Sequence, residues 1–453
     1  MKTSKELKAP TESFKQIHFS QGLPVTNFHA AGIDVGDSKN DVAVSDGKNG
    51  FIVREYSTFT ADLINMVKWL VSLAITTVAM ESTGVYWLNL YLLLEEAGIE
   101  PYLVNAKHVK NVTGRKKDDT DAIWLQKLHS CGLLQKSFQP EGEIRVLRTY
   151  VRQRKNLIKI SADSVRRMQK ALELMNIKLH TVISDILGKT GLQMVHSTLE
   201  GERDPEELIK LKDPRIEASD EDIKKSLVGI WKDEYLFMLK QAYDEYFFYQ
   251  LQIEACDENI MTLLQSQAAQ VLVGEIIDCP FKKKGIKNQF HYTIRPVLKT
   301  IIGVDLCEIE GINEIACLEL LSEIGIDMGK WTSIKHFAAW LNVAPNTKIT
   351  GGKIISSKMQ KKKNHAGQTL RMSASSLSKN KSPLGDYYRK MKSRLGKKEA
   401  VVATAHKMAR IIYIMIKEKK SYNQETIAKN QQEWKEKKIK YLEKQLYQLK
   451  NAV

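Results

Sequence analysis

The chain reads as an α/β domain built on a mixed sheet, followed by a mostly helical remainder. Three observations carry this. Apolar runs of strand length, joined by tight turns, follow a polar arm; helical and strand periods then alternate to about residue 130; from about residue 143 helical spacing dominates with few breakers.

Taken in order, residues 1–26 are polar and without period, which predicts a flexible arm. Ala30-Ala31-Gly32-Ile33-Asp34 is a first strand, ended by the turn formers Gly36-Asp37-Ser38-Lys39-Asn40. Val42-Ala43-Val44 and Phe51-Ile52-Val53, on either side of Asp46-Gly47-Lys48-Asn49-Gly50, complete an antiparallel meander. A helix over about 60–73 then precedes the strand Thr76–Met80. A second, over about 84–97, lines up Trp87, Tyr91 and Leu94 on one face and leads to the strand Pro101–Val104. A third helix begins near Asp118. The order βββαβαβα, with a sheet mixed at one edge, is that of a ribonuclease H-like fold.

The α/β domain is thus expected over 27–142. Long helices occupy 143–275, a connector divided into two arms by the polar stretch from Gly201 to Pro214. A lysine-rich loop (Phe281 to Gly285) and Arg295-Pro296 precede a C-terminal domain over 290–422. There the helical pattern is broken by a Gly/Ser/Lys-rich loop at 346–368. In the tail, 423–453, Ile439, Leu442, Leu446 and Leu449 form a short seam suited to helix pairing.

The 453 residues suffice for about three domains at ~150 residues each. No apolar run reaches the ~18 residues that span a bilayer, and the start lacks a hydrophobic signal core, so a cytoplasmic protein with no membrane partner is expected. Five dispersed cysteines without a CxxC pair fit a reduced compartment and argue against structural zinc or disulfides. With 69 Lys and Arg against 53 Asp and Glu, the net charge of +16 points to a polyanion, DNA or RNA; a merely basic enzyme is the alternative.

Four acids stand where a sheet would gather them. Asp34 ends the first strand. Glu81 follows directly on the strand ending in Met80. Asp118 and Asp121 are three apart at a helix start, hence on one helical face. Together the bare carboxylates would repel one another, and hard divalent cations, Mg²⁺ first and Mn²⁺ next, satisfy such an oxygen set. Each acid taken singly reads equally as a turn or helix cap. As a set they suit a two-ion site for phosphodiester chemistry.

Ala31-Gly32-Ile33-Asp34-Val35-Gly36, Met80-Glu81-Ser82-Thr83-Gly84 and Lys116-x-Asp118-x-x-Asp121-Ala122 resemble the three acidic motifs of the DEDD transposases of the IS-one-ten insertion-sequence family, which includes the pilin-gene invertase. Trp340–Pro345, Thr350-Gly351-Gly352-Lys353, Asn364, Leu370-Arg371, Gly396–Ala400 and Ala405-His406-Lys407 look like that family's C-terminal transposase domain. The resemblance implies a RuvC-like catalytic domain with Asp34, Glu81, Asp118 and Asp121 as metal ligands, and a C-terminal domain bearing a hydroxyl nucleophile. It also implies a homo-oligomer, dimer or tetramer, that cuts and rejoins DNA under guidance by a bridge RNA. One position departs: the family carries serine before Gly-Gly-Lys or Ala-Gly-Lys, and this chain has Thr350. Threonine keeps the hydroxyl but stiffens χ1, and misplacement by about an ångström can cost ~10²-fold. Thr350 as nucleophile, Ser356 or Ser357 in its place, and an impaired copy remain open.

Basic side chains complete the reading. Lys353, Lys358, Lys361, Lys362, Lys363 and Arg371 in the 350 loop form a phosphate clamp or a solvated run, and Lys116 neighbours the acids. Arg145, Arg148, Arg152, Lys155 and Lys159 recur at spacings of three or four as one stripe, which tracks a nucleic-acid backbone or is a wet helix face. Asp305 through Ile312 reads as a turn between helices, with a phosphate-facing hairpin as the weaker alternative. The competing functions are a RuvC-like nuclease that does not rejoin and a catalytically impaired nucleic-acid-binding remnant.

Overall fold

The computed structural model describes residues 24–48, 50–106, 109, 120–140, 142–280, 288–360, 363–423, 439 and 443, and the chain divides into two compact units, residues 1–139 and 140–453. In the first unit the early apolar runs become β1 (Ala30–Val35), β2 (Lys39–Ser45) and β3 (Phe51–Ser57), an antiparallel meander. β4 (Thr77–Glu81) pairs in parallel with β1, and β5 (Glu100–Val104) in parallel with β4, giving the order β3-β2-β1-β4-β5. Parallel neighbours need crossovers, and α1 (Thr60–Ser72) and α2 (Trp87–Glu96) supply them. This is the mixed ribonuclease H-like sheet expected from the element order, consistent with the RuvC-like domain that the resemblance implies.

The alternation of side chains along β1 makes the domain three-layered. Ala31, Ile33 and Val35 join Met66 and Leu70 of α1 and Leu90 and Leu94 of α2 in one core. The opposite face, through Ala79 and Val104, packs on Trp124, Leu125 and Leu128 of α3 (Asp121–Ser130). Gly32 governs that second contact. A Cβ on Gly32 would fall on the backbone of Ala122 and Gln126, so only glycine lets α3 rest directly on β1. The direction of α3 follows from its bonds. Gln126 Nε2 donates to the Ala30 carbonyl at 3.3 Å, while Thr26 and Asn27 donate their amides to the Ser130 carbonyl at 2.8 and 3.0 Å. The helix therefore runs against β1, and its start lies over the strand's carboxyl end.

The second unit begins with α4 (Gly142–Leu174), 33 residues long. After it come α5 (Lys189–Leu199), α6 (Asp220–Leu227) and the 39-residue α7 (Asp233–Val271). α4 and α7 are antiparallel, as the pairs Glu143–Gln270, Arg154–Asp257 and Ser164–Glu245 show. The break between these arms is wider than the 201–214 stretch expected. Residues 177–227 share one core with the ends of the two long helices, in which Ile177, Met194, Leu208 and Ile223 meet Met168 and Leu172 of α4 and Leu239 of α7. Arg154 and Asp257, both buried, pair deep in the seam.

Beyond it lie α8 (Arg295–Ile302), α9 (Glu314–Ile324), α10 (Ile334–Trp340), α11 (His365–Ser376), α12 (Pro383–Leu395) and α13 (Lys397–Glu418). α13 is the axis of this bundle, burying Ala405, Met408, Ile412 and Ile416. Residues 305–312 form a 3₁₀ turn, Leu306–Glu308, between helices, not a hairpin. The expected loop at 346–368 does contain a hairpin, β6 (Lys348–Thr350) and β7 (Lys353–Ser356). Gly351 and Gly352, at φ 54° and 75°, make its two-residue turn, a backbone that side chains resist. The lysine-rich 281–285 loop and the tail seam at Leu442, Leu446 and Leu449 lie outside the described residues. Among the described residues no helix is long and apolar enough to cross a membrane.

Candidate active site

Asp34 and Glu81 are brought together by strand register. Ile33 of β1 pairs with Met80 of β4 in parallel, so one step further along both strands the two acids stand side by side at the carboxyl ends. Both are half-buried, and both share the sheet face of Gly32 and Ala79, the face that α3 covers. The row extends to acids that the sequence reading missed. Asp41 is the cross-strand partner of Asp34, and Glu55 that of Asp41. Lys39 bridges the outer two, its Nζ 2.6 Å from Glu55 and 3.9 Å from Asp41. The Glu55 bond first, then the charges of Asp41, Glu55 and Asp34, hold this ammonium above its ordinary pKa. The hairpin turn at residues 36–39 fixes that register, and counting outward from it would have found Asp41.

Asp121 is the first residue of α3, exposed and placed where the helix dipole favours an anion. Thr120 precedes it with extended backbone (ψ 163°), and its hydroxyl accepts from the Ile123 amide at 3.3 Å. This cap starts the described helix at Asp121, and the expectation that Asp118 shares its face falls on a residue outside the described ones. Asp118 and Lys116 lie outside the described residues. Among the described residues no three Asp, Glu, His or Cys side chains are gathered closely enough to hold a metal ion. What is present is an all-oxygen pair, Asp34 with Glu81, beneath the start of a helix bearing a third acid. That donor set fits a hard divalent cation.

Thr350 ends β6 opposite Lys353, at the exposed tip of the hairpin. Ile349, Ile354 and Ile355 are exposed beside it. Ser356 is half-buried and its Oγ accepts from the Lys358 amide at 3.3 Å, whereas Ser357 is exposed. Anchors hold both ends of the loop. Asn342 Nδ2 donates to the Gln360 carbonyl at 3.0 Å, and Asn364 Nδ2 donates to the Trp340 carbonyl at 2.9 Å. Asn364 Oδ1 also caps α11, accepting from the Gly367 amide at 2.7 Å.

Family comparison completes the picture. A model for DEDD transposases of the IS110 type, described as transposase, matches residues 31–177, and the transposase IS116/IS110/IS902 family matches residues 305–389. The chain belongs to the IS110 family of DEDD transposases. No curated protein matches it. The first IS110 match spans the sheet, the acids and α4; the second runs from the 305 turn through the Thr350 hairpin into α12. Membership in the IS110 family makes this a transposase or recombinase of DNA, an enzyme that cuts and rejoins it.

The basic residues of this IS110 transposase divide sharply. Arg371, expected to clamp phosphate, is half-buried and donates to the Asn342 carbonyl at 3.1 Å, so it braces the loop from behind; burial lowers its pKa. Arg152 grips Glu323 of α9 through Nε and Nη2, at 2.7 and 2.9 Å, and Arg148 Nε lies 3.1 Å from the same carboxylate. Lys155 pairs with Glu319 at 2.8 Å, which also accepts from Thr369 of α11. Arg145 donates to the Pro140 carbonyl at 3.0 Å. Over 148–155 the expected backbone-tracking stripe is therefore a seam that packs α4 on α9. The acids that neutralise it come from about 170 positions away, at distances |i−j| of 171 and 164. Lys353 and Lys358 are exposed; Lys361 and Lys362 lie outside the described residues.

Proposed function

We propose that this IS110-family chain is a divalent-metal-dependent DNA recombinase of a mobile element, acting in the cytoplasm as a homo-oligomer on DNA aligned by a bridge RNA. Residues 27–142 would be its catalytic domain, 143–275 its connector and 290–422 its nucleophile-bearing domain. The observation that carries the reading is the placement of Asp34 and Glu81 at adjoining carboxyl ends of parallel strands, under the start of the helix bearing Asp121. With Asp118 they would hold Mg²⁺ or Mn²⁺. When bound, the ion offsets the charge that develops on phosphate oxygens during displacement.

Thr350 would present its hydroxyl from a hairpin within a loop whose ends are held by Asn342 and Asn364. Its Oγ1 attacks phosphorus; the Oγ1–P bond forms while the bond from phosphorus to one sugar oxygen breaks. The hydroxyl proton passes to a neighbouring base, and the departing oxygen takes one up. Lys353, across the hairpin, meets the phosphate charge.

A donor–target recombination assay with and without the element's RNA tests this. Asp34→Asn is expected to lose joining by about 10³-fold while retaining DNA binding, the scale on which loss of one catalytic group acts. Thr350→Ala is expected to lose joining and Thr350→Ser to keep it. Unchanged joining by Asp34→Asn would remove the metal assignment. Cleavage without joining by the unaltered chain would mark a nuclease, and DNA binding without cleavage an impaired copy.

A further inference from the structure

A second set of cations lies where no seam absorbs them. Between Tyr387 and Arg410 the chain carries eight Lys or Arg and one acid, Glu399. α12 and α13 pack side by side across Gly396. Lys407 of α13 sits half-buried with its Nζ 4.4 Å from the centre of the Tyr387 ring of α12. Arg394 and Arg410 are exposed on the same two helices. The nearby carboxylate, Asp386, is engaged by Arg389.

The electrostatics agree with the geometry. Burial first, then Lys390 and Arg410, lower the Lys407 pKa; burial and then Arg410 lower that of His406. Burial raises the Tyr387 pKa, with Arg394 and Arg410 opposing. In each case the charged neighbours are cations. Among the described residues, the charged groups that act on Lys407, His406 and Tyr387 are thus cations gathered around one aromatic ring, an arrangement that a polyanion relieves.

We propose that the α12–α13 face, centred on Lys407, Arg410 and Arg394, is a docking surface for the phosphodiester backbone of duplex DNA. This deepens the reading of the chain as a DNA recombinase and rests on it. DNA is the occupant because it is the substrate class that family membership assigns, and because the exposed cations Arg394 and Arg410 beside Lys407 complement a phosphate row, not a base edge. The surface positions DNA in the unit that presents Thr350.

Fluorescence anisotropy of the full-length protein on labelled duplex DNA, across a salt series, provides the test, with a matched RNA duplex as second probe. Lys407→Gln/Arg410→Gln should flatten the slope of log affinity against log salt by about 1.8, two phosphate contacts at ~0.9 each. Arg394→Gln, on the exposed rim, should flatten it by about 0.9 and keeps the test alive if the double variant melts early. Lys407→Arg should preserve the slope, and so should Arg389→Gln, whose charge Asp386 already takes. An unchanged DNA slope in both Gln variants overturns the surface, as does a loss confined to the RNA probe. If the unaltered chain bound no DNA, the recombinase reading would fall as well. DNA bound and joined normally by the Gln variants would remove this surface alone.

Discussion

The stripe on α4 and the face formed by α12 and α13 carry the same kinds of side chain to opposite ends. On α4, Arg148, Arg152 and Lys155 meet Glu323 and Glu319, and their charge is consumed inside the protein. On α12 and α13, Lys407 lies over the Tyr387 ring with Lys390 and Arg410 as its charged neighbours, and on the proposed reading their charge is left for DNA. Spacing along a helix is identical in kind in both places. The difference lies in what the facing helix brings, and that is a property of tertiary structure. A basic helical stripe is thus a statement about a helix face, and only the neighbour decides whether it packs or binds.

The contrast can be broken most forcefully at Glu323, whose side chain is 6% exposed. Glu323→Ala leaves Arg148 and Arg152 without their carboxylate and should destabilise the fold by about 3–5 kcal/mol in urea denaturation. A loss below about 1 kcal/mol would mean the α4 cations do not need that partner. Next in size, Arg152→Gln should cost roughly 1–2 kcal/mol, whereas Arg410→Gln should leave stability within about 0.5 kcal/mol and act on DNA affinity instead. Equal effects on stability would erase the distinction drawn here.

The smallest effect is the most specific, and NMR titration reads it. His365 beside the α4 seam is held below its ordinary pKa by burial and then Arg152, with Glu323 opposing; His406 is held down by burial and then Arg410. Glu323→Gln should therefore lower the His365 pKa further, while Arg410→Gln should raise that of His406. For both histidines the folded pKa lies below the unfolded ~6.5. The unfolded chain then binds more protons as pH falls through 6.5, and stability declines in that window. In Arg410→Gln the decline should be shallower. Shifts of the same sign in the two variants would contradict the assigned environments.

Much of the first unit was legible in the sequence because its signals are local. The apolar runs at 30–34, 42–44 and 51–53 alternate with turn residues, and the crossover helices have clear period, so strand order followed from connection rules. Asp34 and Glu81 were legible for the same reason, each abutting a strand end. What escaped depended on distant partners or competing local chemistry. Thr120 won the cap and set the helix start at Asp121. Arg371 turned inward because Asn342, in left-handed backbone at φ 54°, offers its carbonyl there. The β6–β7 hairpin was missed although Gly351-Gly352 between isoleucines is a two-residue turn signal, because the surrounding lysines read as loop.

At Gly32 the gap between strand and helix is filled by main chain alone. Nothing in the layer can yield to a single added methyl. Gly32→Ala would act as a shim under one end of α3, tilting Asp121 off the sheet while every carboxylate kept its identity. The acids could then all be present and still fail to act in concert, so the missing atom at position 32 is as much a component of the site as the oxygens around it.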